Sequence, residues 1–258
     1  MKQKSSKKHN SSSPKKSHKK EKSQKYSSPL GKVWHFIWHD DSIWSWIVNI
    51  ILSFILIKFL VYPGIGFALS TTHPIVAVVS GSMEHKTTNP CINPAINYNC
   101  IRDDSVWELC GTAFDEKKRV DFDFFWKTCG PWYQELNITK QQFSKFPFSS
   151  GFNTGDIMIL KGKPVDSIEV GEVIVFWNPL LGDPVIHRVV DRWHEGGYVY
   201  FHTKGDHNSG SNPDELEIRH DRLVGYADYE KGSVAVARIP FLGYIKIGFV
   251  ALVNMVIG

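Results

Sequence analysis

Ile75-Val76-Ala77-Val78-Val79 is an unbroken apolar run of strand length, and it stops at Ser80-Gly81-Ser82-Met83. Runs of the same kind follow at residues 156–161, 172–177, 185–190, 198–203, 222–227 and 233–238. They are rich in Val, Ile, Tyr and Phe, which fit a pleated surface, and Gly, Pro, Asp and Asn separate them as turn formers. No helical period of useful length runs through 154–238. The expected fold is mainly β, an antiparallel domain assembled from 71–83 and 154–238.

Residues 84–153 break that rhythm and hold all four cysteines, Cys91, Cys100, Cys110 and Cys129, together with Trp107, Trp126, Trp132 and Tyr133. There is no C-x-x-C pair, which argues against a zinc ribbon. An even cysteine number outside the cytoplasm favours two disulfides, with three pairings open. The block reads as a disulfide-stapled insertion with a short helix over 134–145. It also carries the N-glycosylation sequon Asn137-Ile138-Thr139.

Toward the N-terminus, residues 43–62 are apolar apart from Ser45, Asn49, Ser53 and Lys58. About twenty such residues cross a bilayer as a helix. Asp40-Asp41-Ser42 offers a helix cap, Trp44, Trp46 and Tyr62 suit the two interfaces, and Lys58 lies near enough to one end to snorkel. Pro63-Gly64 is expected to break the helix, within an anchor of 43–70. A cleaved signal peptide would have a shorter basic region and a shorter apolar one.

The chain of 258 residues carries a net charge of +4, unevenly placed. Ten of its 30 basic residues, all lysines, lie in residues 1–27, with Glu21 as the one acidic residue there. The remainder is mildly acidic, so the basic face that nucleic-acid binding needs is missing. The lysine- and serine-rich tail has little to bury and reads as disordered. Residues 1–42 are then a cytoplasmic tail with an interfacial segment, by the positive-inside rule, and everything from about 70 onward lies outside the cytoplasm. Anionic lipid headgroups are natural partners for the tail. The closing segment, 239–258, is apolar except for Lys246 and Asn254, and either spans the membrane or lies on it.

Three elements carry candidate chemistry. Ser82 follows a strand end and a glycine, where backbone N–H groups can face an oxyanion. His187 alternates with apolar residues in Val185-Ile186-His187-Arg188-Val189-Val190. Asp206 and Asp214 lie in Thr203-Lys204-Gly205-Asp206-His207-Asn208 and Pro213-Asp214. Each is ordinary alone: a serine turn, a solvent-face histidine, an acidic turn. Together they supply a nucleophile, a base and a carboxylate to orient it.

Residues 75–84 resemble the serine box of type I signal peptidases, in which the serine directly before methionine, here Ser82, is the nucleophile. Gly155-Asp156-Ile157-Met158-Ile159 and Val170-Gly171-Glu172-Val173-Ile174-Val175-Phe176 resemble the strand pair that follows. His187-Arg188 falls where bacterial members carry a lysine base, and a histidine there is characteristic of the archaeal and endoplasmic-reticulum branch. Lys204-Gly205-Asp206 with Asn208 resembles the acidic box, and Leu223-Val224-Gly225 the strand after it. The sequence departs from the pattern at His85, where proline is usual, and in a longer gap between Asp206 and Asp214.

The resemblance, over 43–83 and 154–238, implies a membrane-bound serine endopeptidase that removes signal peptides from exported preproteins after small residues, without a cofactor. It implies Ser82 and Ser80 as oxyanion donors. It favours Asp214 as the orienting acid, because Asp206 sits in a tight turn that needs a short acceptor of its own. Asp206 is the alternative. The expected partners are preprotein substrates, membrane lipid and the protein-export channel, with no nucleic acid. The expected location is the cell membrane, with the catalytic domain on the extracytoplasmic side. A self-cleaving repressor-type protease would be soluble and use lysine. The remaining alternative is a catalytically inactive, membrane-tethered binding module of the same fold.

Overall fold

A computed structural model describes residues 28–93, 101–102, 105–227, 238–245 and 247–248. The chain forms two compact units, Met1–Leu56 and Ile57–Gly258.

In the first unit, helix α1 spans Pro29–His39 and α2 spans Ile43–Leu56. Ser28 caps α1 by accepting the Gly31 N–H, with Pro29 in the first turn, where its missing N–H costs nothing. The Asp40 carboxylate accepts the Ser42 N–H between the helices. The polar interruptions of α2 have local partners: Ser45 Oγ donates to the Phe36 carbonyl at 2.6 Å and Asn49 Nδ2 to that of Ile37 at 2.8 Å. Helical residues continue through a π turn, Ile57–Val61, and helix α3, Tyr62–Ala68. Ile43–Ala68, 26 residues whose most apolar 18-residue stretch has a mean hydropathy of 2.1, is long and apolar enough to cross a membrane. Pro63 does not end the helix as the sequence suggested. It lies just past the π turn, inside helical residues that run on to Ala68.

The second unit carries the sheet. Its strands are β1 (Ile75–Ala77), a short pair β2 (Cys91–Asn93) and β3 (Ile101–Arg102), a hairpin β4 (Trp107–Leu109) and β5 (Thr112–Phe114), then β6 (Ile157–Lys161), β7 (Val173–Asn178), β8 (Asp183–Glu195), β9 (Tyr198–Lys204), β10 (Ile218–Arg219), β11 (Leu223–Ala227) and β12 (Arg238–Ile239). The main sheet is antiparallel in the order β1-β6-β11-β7-β8-β9-β10, with β12 also on β6. The mainly β expectation is met. The expected strand at 233–238 falls almost wholly outside the described residues, as do the tail of 1–27 and most of the apolar segment at 239–258.

Strand β7 shows why the sheet is stable. Val173, Ile174, Val175 and Phe176 are all buried, because the strand is covered on both faces. Val173 and Val175 join Met158, Leu160, Val78 and Met83 on one side. Ile174 and Phe176 join Val189, Val199, Phe201 and Ile218 on the other. Strand β8 runs opposite β7 with His187 facing Ile174, and a bulge between Val189 and Asp191 bends it toward β9.

The insertion holds helix α4, Phe122–Glu135, and the single turn α5, Lys140–Phe143. The sequence placed a helix at 134–145. The longer helix starts earlier because Asp121 caps it and Phe125, Trp126, Cys129 and Tyr133 bury one face, which outweighs Gly130-Pro131 in its interior. These residues pack with Leu109, Ile138, Phe143 and Val190, so the insertion shares a core with β8. A disulfide joins Cys110 to Cys129. The side chains of Cys91 and Cys100 lie outside the described residues.

Candidate active site

Beyond β1, Val78 exchanges backbone hydrogen bonds with Gly155 and Asp156, which fixes the chain entering Ser80-Gly81-Ser82. The Ser82 carbonyl accepts the His207 N–H at 2.8 Å, and the Met83 carbonyl accepts that of Phe152 at 3.1 Å. The Met83 side chain is buried and its Sδ accepts the Asp206 N–H. Glu84, also buried, turns its carboxylate back to the Thr154 N–H and to Lys86. Ser82 is therefore held from both sides while its hydroxyl stays at the surface of the turn.

Ser82 Oγ lies 2.9 Å from His187 Nε2 and 3.1 Å from Ser80 Oγ. The other imidazole nitrogen, Nδ1, is 3.0 Å from Oε1 of Glu215. The carboxylate stands off the straight line of an Nδ1–H, so this contact acts by proximity and charge more than by a linear hydrogen bond. Glu215 is 1 % exposed and His187 4 %. A single turn of 3₁₀-helix, Pro213–Glu215, presents the carboxylate, and Asn212 Nδ2 donates to Oε1 at 2.6 Å. A hydroxyl on one imidazole nitrogen and a carboxylate at the other is the arrangement in which imidazole can take the hydroxyl proton and be stabilised as imidazolium.

Neither aspartate singled out in the sequence meets the imidazole. Asp214, one residue before Glu215, points away and takes a hydrogen bond from Asn178 Nδ2 at the end of β7. Asp206 is fully buried in a different network. Arg188 binds it bidentately, at 2.9 Å from Nε and 2.7 Å from Nη2. Tyr133 Oη donates to it at 2.9 Å, and His85 Nε2 lies 3.0 Å away. Burial alone would raise the Asp206 carboxyl, but the Arg188 guanidinium and the His85 contact outweigh it and hold the group far below the usual carboxylate range. The remaining Arg188 N–H groups reach the carbonyls of Pro147, Phe148 and Gly171. His85, stacked on Phe125, and Tyr133 are thus the side chains that the insertion contributes to the charged core around Asp206.

Lys204 is almost wholly buried. Its Nζ donates to the carbonyls of Gly205 and Asp206 and lies 5.0 Å from the centre of the Tyr133 ring. Burial pushes its pKa down to about 8, against the pull of the Asp206 and Glu215 carboxylates. Gly205 has a steric reason: a Cβ there would come within 2.8 Å of His187 Nε2 and 2.9 Å of the Ser82 carbonyl. Among the described residues, no group of three His, Cys, Asp or Glu side chains could hold a metal ion.

Glu215 is the carboxylate beside the imidazole that the sequence reading did not single out. The available signal was the acidic pair Asp214-Glu215 directly after Asn212-Pro213, a turn that sends two successive side chains in different directions.

No family model matches the chain. Curated relatives do. The signal peptidase complex catalytic subunit SEC11 of Colletotrichum graminicola is 37% identical over 97 residues, 37% of this chain and 55% of the relative. That of Tuber melanosporum is 38% identical over 109 residues, and that of Pyricularia oryzae 34% over 97, with the same coverage of both chains. The chain spans about half the length of the curated relatives it matches. Over that stretch it is similar to signal peptidase complex catalytic subunits.

Proposed function

We propose that the chain is a membrane-anchored serine endopeptidase that removes signal peptides from preproteins, with Ser82, His187 and Glu215 as its triad. The observation that carries this reading is the imidazole of His187 between a serine hydroxyl at 2.9 Å and a buried carboxylate at 3.0 Å. His187 takes the Ser82 proton as Oγ attacks the carbonyl after a small residue, then protonates the leaving amine. Glu215 holds the tautomer with the proton on Nδ1 and balances the imidazolium. The Ser82 N–H and the Ser80 hydroxyl face the oxyanion, each such donor being worth roughly 3 kcal/mol. The substrate's extended segment adds to β1, the outermost strand of the sheet, which leads straight to the nucleophile.

The kinship to fungal complex subunits favours the endoplasmic-reticulum membrane over the cell membrane, with the tail cytoplasmic and the sheet on the other side. It also favours partner proteins in a complex, receiving preproteins as they leave the export channel. The test is to recover the tagged full chain from membranes in mild detergent, with whatever it binds, and add a preprotein bearing a signal peptide. One cut after a small residue, blocked when that residue is made bulky, is the expected result. An uncut preprotein, or cleavage indifferent to that residue, contradicts the reading.

A further inference from the structure

The catalytic reading makes no use of Asn137-Ile138-Thr139, one of two Asn-x-Ser/Thr sequons in the chain; the other is Asn10-Ser11-Ser12 in the lysine-rich tail. Asn137 follows the end of α4 with a left-handed backbone, φ 62°, and its N–H returns to the Gln134 carbonyl at 3.0 Å. Asparagine tolerates that conformation better than most residues. Ile138 behind it is 5 % exposed and pins the turn into the insertion core. Thr139 opens α5, its hydroxyl accepting the Gln142 N–H in a capping box. These local roles leave the Asn137 side chain exposed, with no hydrogen bond to its carboxamide among the described residues. The same insertion holds the Cys110–Cys129 disulfide, a bond that persists in an oxidising compartment.

We propose that Asn137 is an N-glycosylation site, its Nδ2 receiving an oligosaccharide from a lipid pyrophosphate donor. The Nδ2–C1 bond forms as the C1–O bond to pyrophosphate breaks. The lipid pyrophosphate leaves and one amide proton passes to a base of the transferring enzyme. Because the Thr139 hydroxyl is engaged once α5 has formed, transfer occurs on the emerging chain before the capping box closes. Folding then fixes the glycan on a rigid turn, pointing into solvent. The inference rests on the sidedness of the proposed function and is independent of its catalysis.

The experiment expresses the full chain in a glycosylating eukaryotic cell and reads the mobility shift on treatment with peptide-N-glycosidase. Wild type should show one step, kept in Thr139→Ser and lost in Asn137→Gln. It should also be lost in Asn137→Gly, which preserves the left-handed cap. A control carries Gly196→Asn with Tyr198→Thr, creating a sequon in the β8–β9 hairpin, where a Cβ at 196 meets nothing within 4 Å. No step in wild type while this control gains one overturns Asn137 as the acceptor and leaves the sidedness standing. No step in either, or a step that disappears with Asn10→Gln, overturns both.

Discussion

His187 Nδ1 lies 3.0 Å from Oε1 of Glu215, while Asp214, the adjacent residue, is turned away to Asn178. Turnover in Glu215→Gln should therefore fall by orders of magnitude, roughly the 10⁴-fold seen when an orienting carboxylate becomes an amide. Glu215→Asp, with a shorter reach, should be intermediate. Asp214→Asn should stay within a few-fold of wild type. Steady-state cleavage of one preprotein by the three variants, with melting curves alongside, measures this.

Asp206 is paired with Arg188 and away from His187 Nδ1, so Asp206→Asn should act on stability first. It leaves the fully buried Arg188 without its charge partner, a loss of roughly 3–5 kcal/mol. The folded carboxyl is depressed, so its stabilisation is complete above the unfolded range near pH 4 and is lost as pH falls below it. Acid melts of wild type should steepen below about pH 4, and those of Asp206→Asn should be flatter there.

Lys204 has the opposite sign. Its folded pKa of about 8 lies below the unfolded value, so between the two the unfolded chain binds the extra proton and stability rises with pH. The rise approaches roughly 3 kcal/mol across that window. Wild type should gain in melting temperature from pH 7.5 to pH 9.5 relative to Lys204→Met. A parallel pH course for the two proteins would contradict the burial of a charge there.

The strands were legible because β-branched and aromatic runs alternate with turn formers, and β7 is apolar throughout since both of its faces are covered. Ser82 and His187 were legible from short motifs whose strands the sheet brings together. Helix α4 was hidden because Gly130-Pro131 reads locally as a break, and only the packing of Phe125, Trp126 and Tyr133 reveals the helix. Glu215 was hidden because a 3₁₀ turn decides which of two neighbouring carboxylates faces inward, and its direction depends on Asn178, far away in sequence.

The disulfide is tied to Ser82 through the backbone. The Cys110 N–H donates to the His207 carbonyl at 2.9 Å, and the His207 N–H donates to the Ser82 carbonyl at 2.8 Å. Replacing Cys110 and Cys129 by alanine should cost roughly 2–4 kcal/mol of stability. It should also lower kcat more than it raises KM, since the loosened element carries the proposed attacking oxygen of Ser82. Equal kcat in the folded variant and wild type would separate the staple from the site.

In the proposed mechanism Ser82 attacks the substrate, activated by His187 and Glu215. The most direct measurement is preprotein cleavage by wild type and Ser82→Ala, each recovered from membranes in the same detergent and shown to melt alike. Cleavage should vanish in Ser82→Ala, while Ser80→Ala, which removes one oxyanion donor, should retain a residue reduced roughly 10²–10³-fold. Cleavage by Ser82→Ala at the wild-type rate would rule out Ser82 as the attacking residue.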